Sequence, residues 1–152
     1  MFFGRKTRVE SRGMARPVEH FVVSLTGLHL RIDFLVERAD GSHAAVRLLL
    51  TKAFAEKACG ALEITVGKYE AALGHIRVAR DSAPSAPRLS LLEERAVNQL
   101  KVSYADEALF LDFGLVLTTA QQSTEFDRLF VVTAIGLAPP LLAAMRAALK
   151  AG

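Results

Sequence analysis

The sequence is poor in cysteine: its 152 residues include one, Cys59, and no tryptophan. A single thiol cannot form a disulfide within the chain, so a small secreted scaffold held by disulfides is excluded. The first residues are charged, and no apolar segment typical of a signal peptide follows them. Nothing in this pattern favours export, and we expect the protein in the cytoplasm.

Long apolar runs are missing as well. A membrane-spanning helix needs about 20 consecutive apolar residues. The longest apolar stretch, residues 129–149, is broken by a threonine, a glycine, two prolines and an arginine. Because these residues interrupt it throughout its length, we expect no integral membrane segment.

The motifs that carry catalytic chemistry are also absent. None of the four histidines has a cysteine or a second histidine at the spacing of a metal site, and no glycine-rich phosphate loop follows a predicted strand. His29 and Asp33 share one face of a predicted strand and could form a general base, but a solvated sheet face is the commoner origin of such a pair. We predict no catalytic residue, no metal, no cofactor and no enzymatic activity. The histidines are His20, His29, His43 and His75.

Positive charge is concentrated at the amino terminus. The net charge is +3 at pH 7, yet residues 1–16 hold five basic side chains against one acidic, which leaves the rest of the chain nearly neutral. We interpret these residues as a flexible basic arm. A cluster of two aromatic and three basic side chains can tether such an arm to an anionic membrane surface or to nucleic acid, and the alternative is a solvated tail. The predicted tether residues are Phe2, Phe3, Arg5, Lys6 and Arg8.

The apolar residues that are present, 51% of the chain, suffice for a core. In the segment 107–117 they fall on alternate positions, which predicts a strand. The segment 28–37 repeats its central phrase, with Ile-Asp-Phe at 32–34 where the later segment has Leu-Asp-Phe at 111–113. The sequence therefore predicts two copies of one structural unit. The alternating residues of the later copy are Leu109, Leu111, Phe113, Leu115 and Leu117.

The first copy predicts three strands and a helix. The strands cover residues 21–26, 28–37 and 44–50, with an Asp-Gly turn between the last two. Thr51 can cap the helix that follows. We extend this helix to about residue 73, although glycines and β-branched residues within it leave strands at 62–66 and 75–78 as an alternative.

The second copy repeats this order. Ser90 and Glu93 match a capping box, which predicts a short helix over 91–97. Strands at 100–104, 107–117 and 129–135 follow, with a polar loop over 118–127 and a last helix opened by Pro139. The predicted fold is α+β, with two strand-strand-strand-helix units whose antiparallel sheets pack against helices. The predicted parts are the arm 1–16, the first unit 17–80, a linker 81–90 and the second unit 91–152.

The phrase VSYADEALFLDFG at 102–114 carries a family resemblance. With the polar loop, apolar strand and terminal helix after it, this part of the chain resembles a small uncharacterised bacterial family, domain of unknown function 3467. The resemblance covers residues 99–150, and the Ala138-Pro139-Pro140 opening of the last helix departs from the Ser/Thr-Pro that the family usually has there. It implies a fold and no known activity.

The second copy also predicts an association surface. Its strands at 107–117 and 129–135 are apolar on both faces, and the helices can cover only one of them. Depending on the strand register, Phe110 and Val116 lie beside either Phe130 and Val132 or Leu129 and Val131. We predict a non-enzymatic self-assembling or adaptor module, a dimer or higher homo-oligomer, with another protein as the alternative partner. The predicted interface residues are Phe110, Val116, Phe130 and Val132.

Overall fold

The fold is α+β, and the computed structural model describes residues 16–79, 89–118 and 123–151. The first half contains β1 (Arg16–Pro17), β2 (His20–Thr26), β3 (His29–Glu37), β4 (His43–Thr51) and α1 (Lys52–Leu73). The second half contains β5 (Leu89–Ala96), β6 (Gln99–Ala105), β7 (Ala108–Thr118), β8 (Ser123–Ala134), a 3-10 turn (Ile135–Leu137) and α2 (Ala138–Ala151). Neither helix combines the length and apolar character needed to cross a membrane, within the residues described.

The strands form two sheets of four. The first sheet has the order β2-β3-β4-β5 and the second sheet the order β1-β8-β7-β6. In each, three consecutive strands run antiparallel, and a parallel strand joins the edge. That edge strand comes from the segment that precedes the other unit, so each half of the chain completes the sheet of the other half.

Phe34 and Phe113 occupy equivalent buried positions, as the repeated phrase predicts. Each is the sixth residue of the middle strand of its unit, and they are 1% and 2% exposed. Their ring centroids lie 6.1 Å apart, a contact distance for aromatic pairs. The core faces of the two sheets therefore contact each other through two equivalent phenylalanines, one from each unit.

The hairpins that lead into the two middle strands are also equivalent. The β2–β3 turn begins with Gly27 at φ +58°, and the β6–β7 turn begins with Asp106 at φ +53°. Glycine adopts this left-handed conformation without strain, and aspartate is one of the few other residues that tolerate it. Two-residue hairpins favour positive φ because it matches the twist of the flanking strands.

Each helix packs against a strand from the other half of the chain. α1 follows β4 of the first sheet but packs against β6 of the second, and α2 follows β8 but packs against β2. Tyr69 of α1 and Tyr104 of β6 form an edge-to-face pair with centroids 5.1 Å apart. The predicted cap is present, with Thr51 Oγ1 accepting a hydrogen bond of 3.2 Å from the Phe54 N–H. The buried core therefore draws on both copies.

The segment after α1 is tied to the start of α2. Gly74, at φ +101°, ends the helix, and the Ala79 N–H donates a 2.9 Å hydrogen bond to the Gly136 carbonyl. A Cβ at Gly136 would lie 2.6 Å from the Arg77 carbonyl oxygen, so the two backbones meet where only glycine fits. Residues 62–66 are helical, and 75–78 are an irregular segment rather than a strand.

Two local predictions are wrong. Residues 91–97 were expected to form a helix, but most of them belong to the strand β5, because β4 offers a parallel edge with which this segment pairs. Glu93 accepts a 2.6 Å hydrogen bond from Arg95 instead of closing a capping box. The second strand was expected to begin at residue 28, but Leu28 lies in the β2–β3 turn and is 77% exposed.

The expected loop at 118–127 is also too long. β8 begins at Ser123, because its polar first residues still pair with the end of β7. That end projects beyond the core, and Leu117 is 49% exposed rather than buried. The predicted linker lies outside the described residues except for residues 89–90, which open β5. The predicted arm lies outside them except for Arg16, which opens β1.

Candidate association surface

The outer face of the second sheet carries the predicted interface. Along β7, Leu109, Leu111 and Phe113 are buried in the core, so the alternate residues point to the other side of the sheet. Within the described part of the chain, both helices make their main contacts with each other and with strands other than β7 and β8. The outer residues of β7 are Phe110, Asp112, Gly114 and Val116.

Three of the four predicted residues form one cluster. The Phe110 and Phe130 rings are stacked, with centroids 5.7 Å apart and planes at 19°. Val132 is the cross-strand partner of Phe110, and all three side chains are half-buried. The register thus places Phe130 and Val132 beside Phe110, and Leu129 and Val131 in the core. We name Phe110, Phe130 and Val132 the aromatic patch.

Val116 is not part of this patch. It lies six residues from Phe110 along β7, a distance of about 20 Å in a strand. Asp112 stands between them, and Arg128 of β8 binds its carboxylate with both Nε, at 3.3 Å from Oδ1, and Nη2. An arginine of the neighbouring strand therefore satisfies the Asp112 carboxylate. The apolar surface is therefore shorter than predicted.

A hollow of about 180 Å³ separates the ion pair from Val116. Its lining includes Gly114, the charged side chains of Lys101 and Arg128, Asp112 and Val116. Gly114 lies within β7 in the ordinary backbone conformation of a strand, is buried, and forms part of the lining of this space. We name it the glycine hollow.

Asn98 is hydrogen-bonded to Val116, which borders the hollow. Its side-chain amide donates to the Val116 carbonyl and accepts from the Val116 N–H, both at 2.8 Å. These two bonds satisfy the β7 backbone beside the register shift between β7 and β8. Sequence reasoning missed Asn98, Lys101, Arg128 and the hollow. One signal was available, namely a glycine in β7 where the repeated phrase of β3 continues with leucine.

The outer face of the first sheet has different residues at the positions equivalent to those of the second sheet. The pairing around Phe34 and Phe113 makes Arg31 the equivalent of Phe110 and Arg47 the equivalent of Phe130. Leu35 stands where the second sheet has Gly114. Asp33 corresponds to Asp112 and accepts a 2.8 Å hydrogen bond from Arg47 Nε. The fold therefore accepts arginine at both sites that hold a phenylalanine in the second sheet.

The groove between the helices offers little reactivity. A cavity of about 460 Å³ borders Cys59, Arg146 and Lys150. Burial raises the pKa of the Cys59 thiol, and the nearby Arg146 guanidinium opposes this shift. Arg146 is itself engaged by Glu63, at 3.0 Å. A buried, protonated thiol is a poor nucleophile, in keeping with Cys59 as a small hydrophobic residue.

The histidines do not form a recognisable centre either. His29 is exposed, whereas Asp33 is 4% exposed and hydrogen-bonded to Arg47, so the two do not form a solvated acid–base pair. His20 and His43 meet edge to face with centroids 6.2 Å apart. Among residues 16–79, 89–118 and 123–151, no three histidine, cysteine or acidic side chains are placed to hold a metal ion.

The predicted tether residues, Phe2, Phe3, Arg5, Lys6 and Arg8, lie outside the described residues. The described chain begins with β1, which pairs with β8 at the edge of the second sheet. The arm therefore enters the fold beside the candidate association surface.

No family model matches the chain, and no curated protein matches it significantly. The resemblance of residues 99–150 to domain of unknown function 3467 stays a prediction.

Proposed function

We propose that this protein is a non-enzymatic self-associating module whose copies bind each other through the outer face of the second sheet. The observation that carries the proposal is the half-buried stack of Phe110 and Phe130. It occupies positions that hold Arg31 and Arg47 in the first sheet. Because the fold accepts charged residues at these sites, folding alone does not require aromatic ones there.

The energetics favour a covered patch. Burying an apolar side chain contributes roughly 1.5 to 3 kcal/mol, so completing the burial of two half-buried rings in each copy contributes several kcal/mol at this order of magnitude. Clustered apolar side chains on a soluble protein often mark an interaction site. A second copy brings the same patch and can pack sheet against sheet about a two-fold axis.

The strands of the second sheet provide part of a dimer interface. They have 2, 12, 11 and 7 residues, so at about 4.8 Å between strands and about 3.3 Å per residue their outer face covers roughly 500 Å² in each copy. A stable interface buries about 800 Å² on each partner. The outer face of the second sheet therefore supplies more than half of the area that a stable dimer needs.

The decisive experiment replaces Phe110 by arginine, the residue found at the equivalent position of the first sheet. Mass measurement in solution at micromolar concentration should give more than one chain for the wild type and one chain for Phe110→Arg. The matched control is Val22→Arg, which alters a side chain 42% exposed on the outer face of the first sheet and should leave the mass unchanged. A wild-type mass of one chain would refute the proposal.

A tethered accessory factor is the second candidate. The concentration of basic residues before residue 17 favours it, as does the entry of the arm at the edge of the second sheet, beside β8. An arm at the edge of a dimer would also be present twice, which strengthens binding to an extended anionic surface. In either case we propose the cytoplasm as the location.

A further inference from the structure

The aromatic patch and the glycine hollow are complementary features of one strand. Phe110 and Gly114 are four residues apart on the outer face of β7, about 13 Å in a strand. Phe110 is a half-buried ring on this face, and Gly114 is part of the lining of the hollow. Asp112 lies midway between them, in the same row as Phe130.

We propose that in the self-associated protein the Phe110 ring of each copy inserts into the glycine hollow of the other. This inference rests on the proposed self-association and adds its geometry. A two-fold axis that runs between the sheets, perpendicular to β7 and over Asp112, carries Phe110 of one copy above Gly114 of the other. The same axis carries the second Phe110 above the first Gly114, as an isologous contact requires.

The hollow suits a phenyl ring in size. Its volume is about 180 Å³, and a cavity of about 150 Å³ is enough to bind benzene. Face-to-face sheets pack about 10 Å apart, so side chains of the two inner faces interdigitate. A projecting ring therefore needs a gap opposite it, and within the described part of β7 the glycine supplies one.

The charges around the hollow also fit an aromatic guest. Lys101 and Arg128 line it, and cations are attracted to the face of an aromatic ring. Arg128 stays bound to Asp112 while its apolar stem borders the space.

The test fills the hollow with Gly114→Leu. Leucine is the residue at the equivalent position of the first sheet, where Leu35 is accommodated in β3, so the variant should keep the fold by circular dichroism. It should weaken dimerisation by about tenfold or more, the effect of overpacking one side chain. Sedimentation over a dilution series measures the dissociation constant.

A double-mutant cycle tests whether Phe110 and Gly114 are in contact across the interface, because the free-energy effects of mutating two contacting residues do not add. Phe110→Ala alone should weaken the dimer, and Phe110→Ala combined with Gly114→Leu should bind more tightly than Gly114→Leu alone, since the smaller residue leaves room for the leucine. Gly114→Ala should give a smaller loss and replaces Gly114→Leu in the cycle if the latter misfolds. A monomeric wild type would overturn both proposals. A dimer that Phe110→Arg dissociates but Gly114→Leu leaves intact, or additive losses in the cycle, would overturn the insertion and leave the self-association standing.

Discussion

Gly136→Ala should destabilise the protein, although alanine is better than glycine in most backbone settings. The new Cβ would lie 2.6 Å from the Arg77 carbonyl oxygen and 2.9 Å from the Ala79 nitrogen, both backbone atoms that cannot rotate away. Relief requires moving the 77–79 segment away from the 3-10 turn. That movement weakens the 2.9 Å hydrogen bond between Ala79 and Gly136 and disturbs Ile76, which is fully buried.

The magnitude follows from these contacts. Overpacking of this kind costs typically 1 to 3 kcal/mol, and a weakened backbone hydrogen bond adds about 0.5 to 1.5 kcal/mol. The reduced freedom of the unfolded chain returns about 0.4 to 1 kcal/mol. We expect the free energy of unfolding to fall by about 0.5 to 4 kcal/mol. For a chain of this size each kcal/mol lowers Tm by about 2 to 4 °C.

The matched control is Gly67→Ala. Gly67 lies within α1, and a Cβ there meets no atom within 4 Å. Alanine should stabilise this helix by about 0.5 to 1 kcal/mol. Urea unfolding of both variants at one protein concentration, so that self-association contributes equally, should place them on opposite sides of the wild type. If Gly136→Ala is as stable as Gly67→Ala, the close approach of the two backbones is not a real constraint.

Two further predictions concern reactivity and the arm. Because burial raises the pKa of the Cys59 thiol, its reaction with a thiol reagent at pH 8 should be much slower in the native protein than in urea, and equal rates in both states would contradict the burial. The stability that this thiol contributes should be fully present below the usual thiol pKa of about 8.5 and should be lost as the pH rises above that value towards the raised native pKa. Deletion of residues 1–15 should leave the circular dichroism and the number of chains in the assembly unchanged while abolishing any binding to anionic vesicles or DNA at low salt. Absence of such binding in the full-length protein would leave only the solvated tail.

Local sequence patterns predicted much of the architecture. The alternation in residues 28–37 and 107–117 predicted the two middle strands, and Thr51 marked the start of α1, because side-chain period and capping depend on neighbouring residues alone. The repeated phrase predicted equivalent places for Phe34 and Phe113. The same local reasoning failed for β5, whose capping-box pattern was overridden by pairing with β4, a partner distant in sequence.

The sequence by itself determined which residues alternate, that the unit occurs twice, and that Phe110 and Val116 share one face. Only the tertiary structure decided what lies beside them, because register and edge pairing depend on contacts between distant segments. It placed Phe130 and Val132 against Phe110 and separated Val116 from them by the Asp112–Arg128 ion pair. It placed a hollow beside Gly114, and among the described residues it packed each helix mainly against the other helix and a strand other than β7 and β8.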